Sequence, residues 1–336
     1  MQVFNPYWRI LGLPLSRLKG GVTDSIPFSI VELSLWLGGI ATILWLTSFS
    51  KFGKSVGTKI RWVYFLFGPL FLLILGLGQG AFPWSLAPTA LRTPLPTVYG
   101  TDSLSDSAFH QWVRERERSL TSELNWTDYQ SLSESEVLRN CDASLDTVLR
   151  LLGQSPGRTV RAVKDMGPLT SDLGLIYGGP AFHDPFFGEL AVVKSSQYPT
   201  PRHWRLIAVC HETAHAKGFL REMDAEILTQ LALRRIADPR FQTLADIHFL
   251  EKSGVKVLWP ESLIRESQRV RTWRREVQKH QPVISWLRNF AEKFHVRNSG
   301  GKYGDREAKE AWNPHHPFFA TVHRLQNRVI SGKAIP

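Results

Sequence analysis

The sequence predicts a mainly α-helical protein with a small β element, in which two N-terminal transmembrane helices precede a larger domain. Two apolar runs predict the membrane part: residues 28–49 contain a single charge, Glu32, and residues 62–91 contain none. Each run is long enough to cross a hydrocarbon layer of ~30 Å as a helix. Apolar residues at helical spacing through most of the remaining chain predict the helical domain.

The chain divides into a tail at 1–27, the two spans with their connecting loop at 28–91, and a domain at 92–336. The connector at 50–61 carries four basic residues and no acidic one. Short basic loops stay on the cytoplasmic side of a bilayer. We therefore expect a protein of the inner or plasma membrane, with the lipid bilayer as a partner and the C-terminal domain in the periplasm or outside the cell.

The formal net charge is +11, and part of it lies in residues 261–302. A basic segment beside a membrane is typical of a solvated helix face near anionic headgroups, so no nucleic-acid partner is expected. The chain has only two cysteines, Cys141 and Cys210, which excludes a disulfide framework.

Periodicity and turn residues place the elements of the domain. Gly153 and Gly218 mark helix ends, and Thr200-Pro201 reads as an N-cap followed by proline at the first helical position. The short apolar run 189–194 predicts a strand, either a core strand or an edge strand that pairs with an extended substrate. Helices are predicted at about 104–124, 133–152, 201–217, 220–237, 260–279, 282–296 and 316–331.

The segment His211-Glu212-Thr213-Ala214-His215 lies within the predicted helix at 201–217. Residues four apart on an α-helix share one face, so His211 and His215 can bind one metal ion through their ring nitrogens. Glu212 lies beside that position, where a carboxylate can act as general base toward an attacking water. The pattern predicts a site for one Zn²⁺ ion, with Glu212 as the catalytic residue.

A catalytic zinc site usually has three protein ligands and one open position. The acidic residues Glu222, Asp224 and Glu226 follow a tight turn at Gly218-Phe219, at the start of the next predicted helix. Residues 222 and 226 share one helix face and residue 224 points elsewhere. Spacing alone leaves the choice among the three open.

Several segments together resemble an uncharacterised bacterial family of membrane-anchored H-E-x-x-H proteins. The resemblance rests on Ile26-Pro27-Phe28-Ser29 at the first span, on a Gly-rich element ending in P-F-x-G-E from Gly179 to Glu189, and on the run from His211 to Ala225. It covers about residues 20–240. In that run the family has H-E-x-A-H-x-x-G-F-x-R-E-x-E-A, and Asp224 stands where the family has a glutamate.

The resemblance implies a zincin-like metallopeptidase domain of the gluzincin type, in which the acidic residue of the E-A pair is the third ligand. The implied metal ligands are then His211, His215 and Asp224, and the implied substrate is a peptide or protein. The alternatives are a non-catalytic zinc-binding sensor or scaffold, and hydrolysis of a cell-wall or small-molecule amide. The candidates for stabilising the oxyanion are Tyr177, His183, His295, Tyr303 and His323.

Overall fold

The structure is a computed structural model that describes residues 21–48, 95–99, 104–121, 128–155, 157–167, 171, 181–184, 188–193, 200–219, 221–253, 255–257, 259, 261–280 and 316–333. In chain order these residues form α1 (Ile30–Ser48), α2 (Leu95–Tyr99), α3 (Asp106–Thr121), a 3₁₀ turn (Asp128–Ser131), α4 (Glu134–Leu151), β1 (Lys164–Asp165), β2 (Ala181–Asp184), β3 (Glu189–Val192), α5 (Arg202–Ala216), α6 (Glu222–Arg235), α7 (Pro239–Ser253), α8 (Glu261–His280) and α9 (Pro317–Ile330).

The mainly helical architecture with a small sheet is confirmed. Helices α3, α4, α5, α6, α8 and α9 each lie within three residues of a predicted helix at both ends. Local chemistry explains the agreement. Ser133, for example, caps α4 by accepting the main-chain N–H of Glu136, and Gly153 follows that helix with a φ of 66°. The predicted helix at 282–296 lies outside the described residues.

Helix α5 lies in the centre of the helical core. It packs against α4 and α6, which also contact each other, and α6 contacts α7 and α9 as well. Leu206, Val209, Cys210 and Ala214 of α5 are completely buried. Burying a large apolar side chain stabilises a fold by about 1.5–3 kcal/mol, so this packing holds α5 firmly. The polar residues of the His-Glu motif lie along the border of the same core.

The sheet has three strands in the order β1-β3-β2, with β1 parallel and β2 antiparallel to β3. The register pairs Ala181 with Val192 and Asp184 with Glu189. The predicted strand at 189–194 therefore corresponds to β3, the middle strand, whose residues are all buried. It is not the edge strand that could receive a substrate, because both of its edges are already paired. That position belongs to β2, which packs on α5.

The prediction of two transmembrane helices is wrong for the part of the chain that the structure describes. No helix in that part is long and apolar enough to cross a membrane. The predicted first span corresponds mostly to α1, whose first turn is bonded into the domain: the Ile30 N–H donates to the buried Glu189 carboxylate at 2.7 Å, and Lys164 Nζ donates to the Phe28 carbonyl at 3.0 Å. Beyond that turn α1 exposes apolar side chains, among them Trp36 and Ile40. The predicted second span, 62–91, lies outside the described residues.

Helix α7 was not predicted, because Pro239 was interpreted only as the end of the preceding helix. In the structure Asp238 caps α7 by accepting the Arg240 N–H at 2.9 Å, and Pro239 occupies the first helical position. Proline is favoured there because its missing N–H would have no partner in the helix. The Asp238-Pro239 pair was therefore a start signal as well as a stop signal.

Candidate metal centre

Helix α5 carries the motif, and its two ends have different local structures. Pro201 is its N-cap residue, in place of the predicted Thr200; it provides no side-chain cap, and the Glu266 carboxylate of α8 accepts the main-chain N–H of Arg202 at 2.7 Å. At the other end, Gly218 has a φ of 95°, a conformation that side-chain-bearing residues rarely adopt. This turn directs the Phe219 carbonyl back toward the helix, where it accepts a hydrogen bond from Nδ1 of His215 at 2.6 Å.

The C-terminal end of α5 is fixed to α4 by a buried lysine. Lys217 Nζ contacts the carboxylates of Asp142 at 2.8 Å and Asp146 at 2.6 Å, and the Lys217 side chain is fully buried. A buried ammonium group requires such partners, because an unpaired one would be strongly destabilising. The backbone at residue 157 passes very close to Lys217, and only glycine fits there, since a Cβ on Gly157 would lie 2.6 Å from Lys217 Cα. The last turn of α5, which contains His215, thus has a rigid support.

His211, His215 and Glu222 converge at the border between α5 and α6. Nε2 of His211 lies 3.1 Å from one carboxylate oxygen of Glu222, and Nε2 of His215 lies 3.5 Å from the other. One ligand atom from each of the three residues lies within 4.8 Å of the others. The Glu222 side chain is 66% exposed, whereas the two histidines are 13% and 9% exposed. The cluster therefore opens to solvent on the Glu222 side.

The three donors fit a zinc ion. Bonds of about 2.0–2.1 Å in a tetrahedral arrangement place ligand atoms about 3.3 Å apart. Each Nε2 lies near this distance from a different oxygen of Glu222, and one ligand atom from each of the three residues lies within 4.8 Å of the others. Two imidazole nitrogens and one carboxylate are also a common ligand set of catalytic zinc sites, in which the fourth position stays open. The chemistry and the spacing of the donors thus agree.

Both imidazole rings have an oxygen partner near the nitrogen that points away from Glu222, a hydrogen-bond acceptor for His215 and a nearby carboxylate for His211. His215 donates from Nδ1 to the Phe219 carbonyl, and Nδ1 of His211 lies 3.8 Å from a carboxylate oxygen of Glu226. Metal-binding histidines usually have such a partner, because it fixes the tautomer and the direction of the ring. The arrangement leaves both Nε2 atoms facing Glu222.

The structure does not bring Asp224, the predicted third ligand, to the histidine pair. Its side chain is buried, and Oδ1 accepts the main-chain N–H of Leu95 at the start of α2, at 2.9 Å. The reason is helical geometry: Asp224 lies two residues from both Glu222 and Glu226 and therefore points to another side of α6. Glu222, one of the two alternatives, takes the position beside the histidines.

Glu212 is placed as the motif predicts, next to the cluster and not within it. Its carboxylate accepts a hydrogen bond from the main-chain N–H of His183 in β2. Burial raises the pKa of the Glu212 carboxyl, and the charges of His215 and His211 oppose part of that rise. A carboxylate whose pKa is shifted toward neutrality is well suited to accept and return a proton.

A family profile described as "Protein of unknown function (DUF3810)" matches residues 7–260 of the 336. The chain belongs to this family. The matched range includes α5, α6 and α7 and every residue of the cluster, and the description assigns no activity to the family. Neither a comparison with curated proteins nor one with solved structures gives a match. The expected assignment to an uncharacterised family is confirmed, whereas a metallopeptidase activity is not tested by these comparisons.

In this DUF3810 protein the pKa values of the cluster residues are shifted from their ordinary values. Burial alone would lower the pKa of His211, but the carboxylates of Glu226 and Glu222 outweigh it and raise the pKa to about 9. The same balance raises the pKa of His215, mainly through Glu222. Burial would raise the pKa of Glu222, yet His215 and His211 hold it well below its ordinary value. Without metal, His211 therefore carries a second ring proton at neutral pH.

We predict that zinc binding strengthens with pH by about tenfold per unit between about pH 6.5 and 9, because a proton must leave His211 before its nitrogen can bind metal. Titration calorimetry in buffers of different ionisation enthalpy should show at least one proton released per zinc near pH 7. The stability of the metal-free protein should change with pH in the opposite direction. The pKa of His211 is about 9 in the folded protein and ordinarily 6.5, so the charged histidine contributes fully to the free energy of unfolding below pH 6.5. This contribution is lost as the pH rises through 9. A pH-independent zinc affinity over this range would contradict the prediction.

The other candidate residues have different outcomes. Of the five candidates for the oxyanion, only His183 is on an element that reaches Glu212, and that contact is through its main chain. His323 lies on α9 with its ring 5.3 Å from the Trp112 ring, and Tyr177, His295 and Tyr303 lie outside the described residues. Cys141 and Cys210 are buried free thiols that contact each other in the core between α4 and α5, and burial raises the pKa of Cys141.

Proposed function

We propose that this protein is a zinc-dependent hydrolase of peptide bonds. The proposal rests on one observation, the convergence of His211, His215 and Glu222 with Glu212 alongside. Two histidines from one helix and a glutamate from the next are the arrangement of a gluzincin-type site, with Glu222 in the place of the third ligand. A purely structural zinc site normally has four protein ligands. Within the described part of the chain the cluster offers three donors, and it faces solvent, which favours catalysis.

The chain's own residues supply the remaining parts of the reaction. A zinc ion held by the three donors would polarise the scissile carbonyl and lower the pKa of a coordinated water toward ~7. Glu212 accepts the proton of the attacking water and later donates it to the leaving amine. The Phe219 carbonyl and the Glu226 carboxylate orient the two imidazoles. The His183 main-chain N–H orients the base.

The preference for a peptide substrate comes from the position of β2. This strand carries the main-chain contact to Glu212, and its only strand partner within the described residues is β3. An extended peptide can add to such an edge through main-chain hydrogen bonds, which would place its backbone near the base. A small amide has no comparable means of using the strand.

The test uses the full-length wild-type protein. We expect about one zinc ion per chain by elemental analysis and cleavage of members of a quenched fluorescent peptide library. A chelator should remove both the zinc and the cleavage, and added zinc should restore them. A protein that binds no zinc after incubation with excess metal at pH 8 would refute the proposal. Zinc binding without cleavage of any peptide would support the non-catalytic alternative.

A further inference from the structure

Two side chains of α7 contact Glu226, the residue of α6 that faces His211. His248 and Lys252 are one helical turn apart, and both contact Glu226 of α6. The His248 side chain is 3% exposed and the Glu226 side chain 14%, so the contact is shielded from solvent. Neither residue of α7 belongs to the H-E-x-x-H motif or to the acidic cluster that follows it.

Each carboxylate oxygen of Glu226 has its own cationic or donor partner. Oε2 accepts from Nε2 of His248 at 2.5 Å, and Oε1 accepts from Nζ of Lys252 at 2.5 Å. The other ring nitrogen of His248 is held by the side-chain amide of the buried Gln230 at 2.8 Å. With both oxygens engaged on the α7 side, the carboxylate has one position rather than several rotamers.

In this position the Glu226 carboxylate faces the His211 ring. Glu226 Oε2, the oxygen bound by His248, is also the one that lies 3.8 Å from Nδ1 of His211. The same carboxylate group thus contacts His248 and Lys252 of α7 and faces His211 of α5. A fixed anion at Nδ1 favours the tautomer that leaves Nε2 free for a metal.

We propose that His248 and Lys252 are positioning residues of the metal centre, which hold the Glu226 carboxylate beside Nδ1 of His211 and thereby direct its Nε2 toward Glu222. The inference rests on the proposed function, because it assigns these residues a role in metal binding. It extends the site to α7, a helix that supplies no ligand. It also explains why Glu226, although near the cluster, is not the third ligand: its two oxygens are occupied on the side away from the metal position.

The test compares variants of the full-length protein with Co²⁺ as the probe, measuring affinity and the visible absorption spectrum of the bound ion. Lys252→Met removes the charge and keeps the length of a partly exposed side chain. We expect about tenfold weaker Co²⁺ binding and a changed spectrum, because outer partners of metal ligands are worth 10–100-fold in affinity and Lys252 holds one of them, Glu226. Lys252→Arg should retain binding close to wild type, because it keeps a cation at Glu226. Lys256→Met is the matched control, an exposed lysine beyond the end of α7, and should bind as wild type does.

The outcomes separate this inference from the function on which it rests. A wild type that binds neither Co²⁺ nor Zn²⁺ refutes both. A wild type that binds Co²⁺, together with a Lys252→Met variant of equal affinity and unchanged spectrum, refutes the positioning role and leaves the proposed function standing. A loss of unfolding stability alone, without a change at the metal, would also refute it, because a purely structural link between α6 and α7 predicts that result. If Lys252→Met does not fold, His248→Phe tests the same role, since it removes the donor and keeps the ring that packs 6.0 Å from the Phe318 ring.

Discussion

Replacing Glu212 with glutamine should abolish peptide hydrolysis while leaving zinc binding unchanged. A positioned general base contributes about 10²–10⁴-fold to the rate, and glutamine cannot accept the proton of the attacking water. The fold should be unaffected, because the glutamine side-chain oxygen can still accept the His183 main-chain N–H. Zinc content by elemental analysis and kcat/KM on a cleaved peptide are the two measurements.

Zinc content and kcat/KM together distinguish a catalytic base from a metal ligand. Zinc retained with hydrolysis lost identifies Glu212 as the base. Loss of zinc together with activity would instead place Glu212 among the metal ligands and contradict the geometry. Equal activity of wild type and Glu212→Gln would show that the cleavage arises elsewhere or from a contaminating protease.

Replacing Glu222 with alanine should weaken zinc binding by more than about 100-fold. Its carboxylate oxygens lie 3.1 Å and 3.5 Å from the two Nε2 atoms, and a direct ligand should cost more than the 10–100-fold typical of outer partners. The cost to folding should be small, because the side chain is 66% exposed and solvent screens its contacts with the histidines. Competition with a chromogenic chelator measures the affinity.

The control is Asp224→Asn, two residues along the same helix. Asparagine keeps an oxygen that can accept the Leu95 N–H, so this variant should fold and bind zinc as wild type does. Retention of zinc in Glu222→Ala combined with its loss in Asp224→Asn would restore Asp224 as the ligand and overturn the assignment made from the structure.

Local sequence signals accounted for most of the helices but not for all of them. Apolar spacing and the stops at Gly153 and Gly218 predicted the bounds of α4 and α5 closely, because these signals act within a few residues. The same approach missed α7, since Pro239 was read as a stop without its role at the first helical position. It also predicted transmembrane helices, whereas no helix among the described residues can span a membrane. Hydropathy does not record that the start of α1 is bonded to Glu189, a residue 159 positions along the chain.

The sequence by itself determined the chemistry of the candidate site. The four-residue spacing of His211 and His215 places both imidazoles on one helix face, and Glu212 lies next to them whatever the rest of the fold does. Only the tertiary structure places Glu222 rather than Asp224 beside the two histidines, and only it brings β2 to Glu212 and α7 to Glu226. The physical reason is range: helix periodicity is set by neighbours in the chain, whereas the approach of one element to another depends on how the whole core packs.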